Sequence, residues 1–319
     1  MTRPRQVLPG RFYLITRRCA GQQMLLHPDP ITVNAFEYCL AHAAELHRID
    51  VLGHCAMSNH YHAVIFDRYG NYPAFLEYFH LLVARSMNTR WRRKDCFWSG
   101  QQTSVVWLPT IEAIVDELVY VFTNPVGHLM VEHFDQWPGT KGYAQLMEGT
   151  AVRRKRPNFF FRADTGLPDE VHLKLEIPPE LGDRDAFLER VANATRLHLR
   201  ELADERRENH ERCMGRRWVL EQPHTAVPAK IRAHTRLSRR LHISPTFASK
   251  DSDIREQILD MRSDFLTAYY EARDAWLAHE PCEFPVGTYW LGRRARASVP
   301  ETLVSHPVTF LEPRPPQNH

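Results

Sequence analysis

The chain has 319 residues, of which 43% are hydrophobic and 25% charged, with a formal net charge of +3. That composition is ordinary for a folded chain and excludes wholesale disorder. No run approaches about 18 apolar residues, so no transmembrane helix and no membrane partner are expected. The basic residues of "MTRPRQVLPGRF" have no apolar stretch behind them, so a leader is not expected and the expected compartment is the cytoplasm.

In chain order, "RFYLITRR" (11–18) alternates and is rich in aromatic and β-branched residues, which predicts a strand. "ITVNAFEYCLAHAAELHR" has helical spacing at Val33, Phe36, Cys39, Leu40 and Ala43. "IDVLGHCAM" and "YHAVIF" predict two strands, with Asn59 in a tight connection between them. Pro73 opens a second helix, whose buried stripe is Phe75, Phe79, Leu82 and Val83 and which runs toward the basic "SMNTRWRRK". "TSVVWLP" predicts a fourth strand, stopped by Pro109. "TIEAIVDELVYVF" predicts a third helix, ended by Asn124-Pro125. This order predicts an α/β (α+β) ferredoxin-like unit over residues 1–145, with an antiparallel or mixed sheet and helices on one side.

Residues 146–319 are expected to form an α-rich accessory region that binds DNA. Two basic segments lie in it. Residues 151–163, "AVRRKRPNFFFRA", hold five basic residues and no acid, and residues 222–250 hold six and no acid. Such clusters suit a polyanion or, equally, a solvated linker. Asp183 to Cys213 and Ile254 to His279 have helical patterns, and "CEFPVGTYWLG" predicts a loop and short strand. The cysteines (Cys19, Cys39, Cys55, Cys96, Cys213 and Cys282) form no CxxC pair, which argues for reduced, mostly buried thiols.

On a strand, side chains alternate faces, so His60 and His62 share one face with Val64 and Phe66. Two imidazoles on one face can hold one metal ion or simply mark a polar strand end. On the third helix the apolar stripe is Ile111, Ile114, Val115, Leu118, Val121 and Phe122. Tyr120 falls roughly opposite its centre, and Asn124 is four residues on, on Tyr120's side. Tyr120 is therefore either a surface tyrosine or a nucleophile beside a polar ligand.

With these residues in view, "MSNHYHAVIF" resembles the Met-Pro-Asn-His-x-His motif of HUH single-strand nucleases. "YVFTNPV" resembles the Tyr-x-x-x-Asn-Pro-Val helix motif of single-tyrosine transposases, especially the REP-associated branch. "RFYLITRR" is similar to that family's first strand and "FDQWPG" to its Trp-Pro segment, so the resemblance covers about residues 10–142 in order. Ser58 stands where the family has proline. The family's glycine after Asn-Pro-Val falls at Leu129, with Gly127 two residues earlier.

The resemblance implies a DNA transposase, a metal-dependent single-strand endonuclease and strand transferase. His60, His62 and Asn124 would hold Mg2+ or Mn2+, and Tyr120 would attack the scissile phosphate to give a 5′-phosphotyrosine and a free 3′-hydroxyl. The implied substrate is single-stranded or hairpin (REP-like) DNA. Candidate DNA contacts are Arg17, Arg18, Arg90, Arg92 and Arg93, with Trp91 as a stacking platform and Trp98 as core. Arg232, Arg236, Arg239 and Arg240 are further candidates for phosphate. A monomer is expected, with a homodimer as the alternative. Two other readings stay open: a domesticated transposase that binds nucleic acid without transposition, and a metallohydrolase that adds a carboxylate, for which Asp67 is the nearest acid.

Overall fold

A computed structural model describes residues 4–140, 142–162, 164, 166–228, 245–301, 308 and 310–314. The strands β1 (Arg11–Arg18), β2 (Ile49–Ala56), β3 (His60–Asp67) and β4 (Ser104–Leu108) form one sheet in the order β2-β3-β1-β4, and every pairing is antiparallel. The helices α1 (Pro30–His47) and α2 (Tyr72–Arg90) join the strands in the ferredoxin-like sequence, and α3 (Ile111–Gly127) follows β4.

Local chemistry sets these elements. Asp29 caps α1 by accepting from Ile31 N (3.0 Å) and Thr32 N (2.9 Å), and Pro30 occupies the first turn, where its missing N–H costs nothing. The Asp67 carboxylate accepts from Asn71 N (2.7 Å) and Tyr72 N (2.9 Å) at the start of α2. Thr110 caps α3 through Ala113 N (3.1 Å).

The helices lie on both faces of the sheet, where the sequence predicts them on one. The strand alternation explains why. Tyr61 on β3 packs against Phe36 of α1 and Phe79 of α2, whereas its neighbour His62 packs against Tyr120 of α3. Apolar residues face both ways along β3, so each side needs a cover. Nor does α3 stop at Asn124-Pro125. Pro125 removes one N–H from the last turn, but His128 N–H closes on Asn124 O (3.1 Å) and Leu129 N–H on Val126 O (2.9 Å). Leu129, where the resembling family has glycine, takes a left-handed φ of 57°.

Residues after 145 pack onto this unit. A two-stranded ribbon, β5 (Val152–Lys155) with β6 (Glu170–Leu173), lies on α1, an element the sequence analysis did not predict. It is short, and its arginines obscure the alternation. Those arginines pair with acids, Arg153 with Glu170, Arg154 with buried Glu37 and Arg156 with Asp169, so much of the charge in this basic cluster is matched inside the fold. Helix α5 (Arg184–Glu208) packs on α3 and buries Phe187, Leu188 and Val191. Both edges of the sheet are covered. Thr140 and Trp137 satisfy the N–H and C=O of Ala56 on β2, and Thr246 and Ala248 bond Trp107 on β4. Helices α4 (Gly142–Glu148), α6 (Arg216–Glu221) and α7 (Ser252–Leu277) complete the described α-rich part. The predicted C-terminal short strand is instead a helix, α8 (Tyr289–Ala295), opened by a turn in which Thr288 Oγ1 donates to Pro285 O (2.8 Å). The described cysteines are free thiols, and Cys19, Cys39 and Cys55 are buried.

One contact sets how closely α3 approaches the sheet. A Cβ at Gly53 on β2 would lie 2.8 Å from Leu118 Cδ2 and 2.9 Å from Phe122 Cζ. Gly53→Ala should therefore destabilise the fold by about 1–3 kcal/mol through overpacking. A lowered urea midpoint checks this, and an unchanged midpoint would mean that α3 has room to spare.

Candidate active site

The site forms where the α3 face of β3 meets the outward side of α3. Tyr120 is 41% exposed and reaches over His62, with its hydroxyl 3.4 Å from His62 Nε2 and ring centroids 5.0 Å apart. His60 stands beside His62 at 4.9 Å between centroids, with the rings nearly perpendicular. One helical turn beyond Tyr120, Asn124 is 3% exposed, and neither its Oδ1 nor its Nδ2 makes a hydrogen bond of ordinary geometry, although its amide interacts with the Tyr120 hydroxyl. A buried amide without such a bond is unusual, because each unsatisfied polar group costs about 1–3 kcal/mol.

Both histidines are held from behind. His60 Nδ1 lies 2.6 Å from Asn59 Oδ1, an acceptor only, so Nδ1 is the donor and Nε2 keeps its lone pair. Asn59 is oriented in turn by its own amide, which donates to Gln22 O at 3.3 Å. His62 Nδ1 lies 2.8 Å from Thr16 Oγ1, its cross-strand neighbour on β1, which turns Nε2 toward Tyr120. Burial, followed by the charges of His128 and Arg18, pulls the His62 pKa down to about 3. Burial and the charges of His62, His128 and Arg18 hold His60 well below its ordinary value as well. Both rings are neutral at physiological pH, the form that can ligate a metal. Among the described residues no three His, Cys, Asp or Glu side chains form a group able to hold a metal. A cation on the two imidazoles needs a donor of another type, and the Asn124 carboxamide oxygen is the orphaned one. Two imidazole nitrogens and one oxygen form a set that accepts a borderline divalent ion.

The phenol is not ionised by its surroundings. Burial of its hydroxyl end raises the Tyr120 pKa, Asn124 and Arg18 oppose that, and Glu117 adds to it. Glu117, one turn earlier on α3, is pushed up to about 7 by burial and by Asp116. Two residues at this site carry no periodicity signal and escape sequence reasoning. They are Thr16 and His128, whose ring is 6.1 Å from that of His60. Asn59 carries only a turn signal in the sequence.

The other predicted contacts divide. Arg18 pairs in register with His60 and lies on the site face, while Arg17 points the other way and bonds Ser99 O, Gln101 O and Thr103 Oγ1. Arg90 is bound to Asp29 and Thr32, and Arg93 to Gln23. Trp91 donates to Leu25 O, and Arg92 is exposed with φ 51°. Trp98 is core, as expected, and donates to His80 O. Arg232, Arg236, Arg239 and Arg240 lie outside the described residues. Asp67 is buried on the opposite face of β3 as the cap of α2, and burial raises its pKa to about 6, so it is no ligand to His60 or His62. Trp137 of "FDQWPG" is 1% exposed and braces the end of β2.

No family model and no curated protein matches the chain. A solved structure of a REP-associated tyrosine transposase bound to a REP hairpin is similar at a TM-score of 0.39 and 10% identity, covering 56% of this chain and 99% of that one. A likeness of that size assigns no residue a role. Among the described residues no helix is long and apolar enough to cross a membrane.

The depressed pKa has a consequence for stability. An unfolded histidine protonates near ~6.5, while folded His62 protonates only near 3. His62 therefore leaves stability intact above that unfolded value and lowers it as pH falls toward 3, by up to ~1.4 kcal/mol per pH unit. The imidazole NMR signal of His62 should not titrate between pH ~7.5 and ~5. A midpoint near the ordinary histidine value would show the ring to be solvated.

Proposed function

We propose that the chain is a metal-dependent single-stranded DNA endonuclease and strand transferase that acts through a 5′-phosphotyrosine on Tyr120. The observation that carries this reading is the Tyr120 hydroxyl over the neutral His62 ring, with His60 beside it and the buried Asn124 carboxamide, which makes no hydrogen bond of ordinary geometry, one helical turn on. His60 Nε2, His62 Nε2 and Asn124 Oδ1 would hold Mg2+ or Mn2+. Bound there, such an ion would supply Lewis acidity to the scissile phosphate and lower the cost of losing the phenolic proton. Tyr120 forms the new P–O bond, and the 3′-oxygen leaves as the P–O3′ bond breaks. Arg18 supplies positive charge beside the phosphate. The linkage keeps the energy of the broken bond, so the reverse step can join a strand. The motif resemblance favours hairpin DNA and a monomer that works alone.

Incubation with labelled single strands and Mn2+ should give a covalent adduct on a denaturing gel. Tyr120→Phe should give none while keeping its DNA affinity. An adduct that persists in Tyr120→Phe would move the nucleophile elsewhere, and strand binding without any wild-type adduct would leave a nucleic-acid-binding protein. Asn59→Ala releases the His60 tautomer and should weaken Mn2+ binding about 10–100-fold in calorimetry. Unchanged affinity would remove His60 from the ligand set.

A further inference from the structure

Trp91, just past the end of α2, lies flat against His224, with ring centroids 4.2 Å apart and planes 6° from parallel. That overlap is the one a nucleobase makes with an aromatic platform. The platform itself is anchored. Its indole Nε1 donates to Leu25 O at 2.9 Å, and the Arg90 guanidinium covers the ring at 4.4 Å while bonded to Asp29 (2.7 and 2.6 Å). The cap is held less firmly. Among the described residues the His224 ring makes no hydrogen bond, and its segment is attached through Leu220 O to His27 Nε2 (3.1 Å) and Ala226 O to Met24 N (3.1 Å). The groups whose charge reaches His224 are basic: Arg93, His27 and Arg90. The same stretch of chain touches the candidate active site, because Leu26 N bonds Ser58 O (2.8 Å) in the turn that leads into His60.

We propose that the Trp91 face is a nucleobase-stacking subsite for single-stranded DNA and that His224 covers it in the DNA-free chain. The identity of the polymer rests on the strand-cleavage reading above. Exchange is favourable because a flat ring replaces a smaller flat ring, no hydrogen bond of the imidazole has to break, and Arg93, bonded to the neutral Gln23 Oε1 (2.8 Å), offers a cation to the adjoining phosphate. A base held there would anchor the strand on the α2 side of the sheet, linked through Leu25 and Leu26 to the turn that feeds His60.

The test is equilibrium binding of a fluorescein-labelled oligothymidylate in the Tyr120→Phe background, where no covalent trapping contributes. His224→Ala should bind several-fold more tightly, and Trp91→Leu about tenfold more weakly. His224→Trp, a better cap, should bind more weakly than its parent. An abasic oligonucleotide of equal length should respond to none of the three. Unchanged or weaker binding by His224→Ala, an equal response on the abasic strand, or no binding by the parent would each overturn the proposal. The two His224 variants carry opposite expected signs, so the proposal stays testable if Trp91→Leu does not fold. Failure of the cleavage reading is registered separately, as absence of an adduct in the unsubstituted chain.

Discussion

The seating of α3 on the sheet at Gly53 is the constraint on which the site depends. Leu118 and Phe122 occupy the space a Cβ would need, and they flank Tyr120 on the same helix. A helix fixed by those two side chains has no freedom to lift the phenol away from His62. The apolar stripe does the anchoring, and the residues off the stripe are left to do chemistry. Helix α5 also packs on α3, and Arg190 pairs with Glu112 (2.8 Å) across the two helices.

A second theme is that this corner of the fold gives up stability. Two imidazoles are kept neutral under burial, and a carboxamide sits buried with no hydrogen bond of ordinary geometry. Natural cores seldom leave such atoms unpaired, so their presence beside a tyrosine hydroxyl argues for a site that something else completes. Two buried acids elsewhere in the fold are bonded instead. Asp67 caps a helix, and Glu37 is bound by both His54 (3.0 Å) and Arg154 (2.5 Å), so each is satisfied and structural.

Much of this was legible in the residues. The period of two in "HYHAVIF" put both histidines on one face, and the helical period placed Tyr120 off the apolar stripe with Asn124 one turn on. The four strands and three helices follow the same periodicities. What stayed hidden depends on tertiary contact. Thr16 meets His62 only because β1 and β3 pair in that register, and His128 joins because α3 runs past Pro125. Local propensity placed the helix end too early, since one missing N–H in a last turn is readily tolerated. The charge count overrated several arginines, because sequence alone does not show that Arg90 faces Asp29 or that Arg17 is bonded to Ser99 O, Gln101 O and Thr103 Oγ1.

In the proposed site, α3 and β3 together would present two imidazole nitrogens and one carboxamide oxygen to a single ion. Pulsed EPR of bound Mn2+ tests it most directly, since imidazole nitrogens bonded to manganese give resolved couplings. The expected result is coupling to two histidine nitrogens, reduced to one in His60→Ala and in His62→Ala, and weaker Mn2+ binding in Asn124→Ala. Manganese without histidine coupling, or with couplings that survive both histidine substitutions, would contradict it.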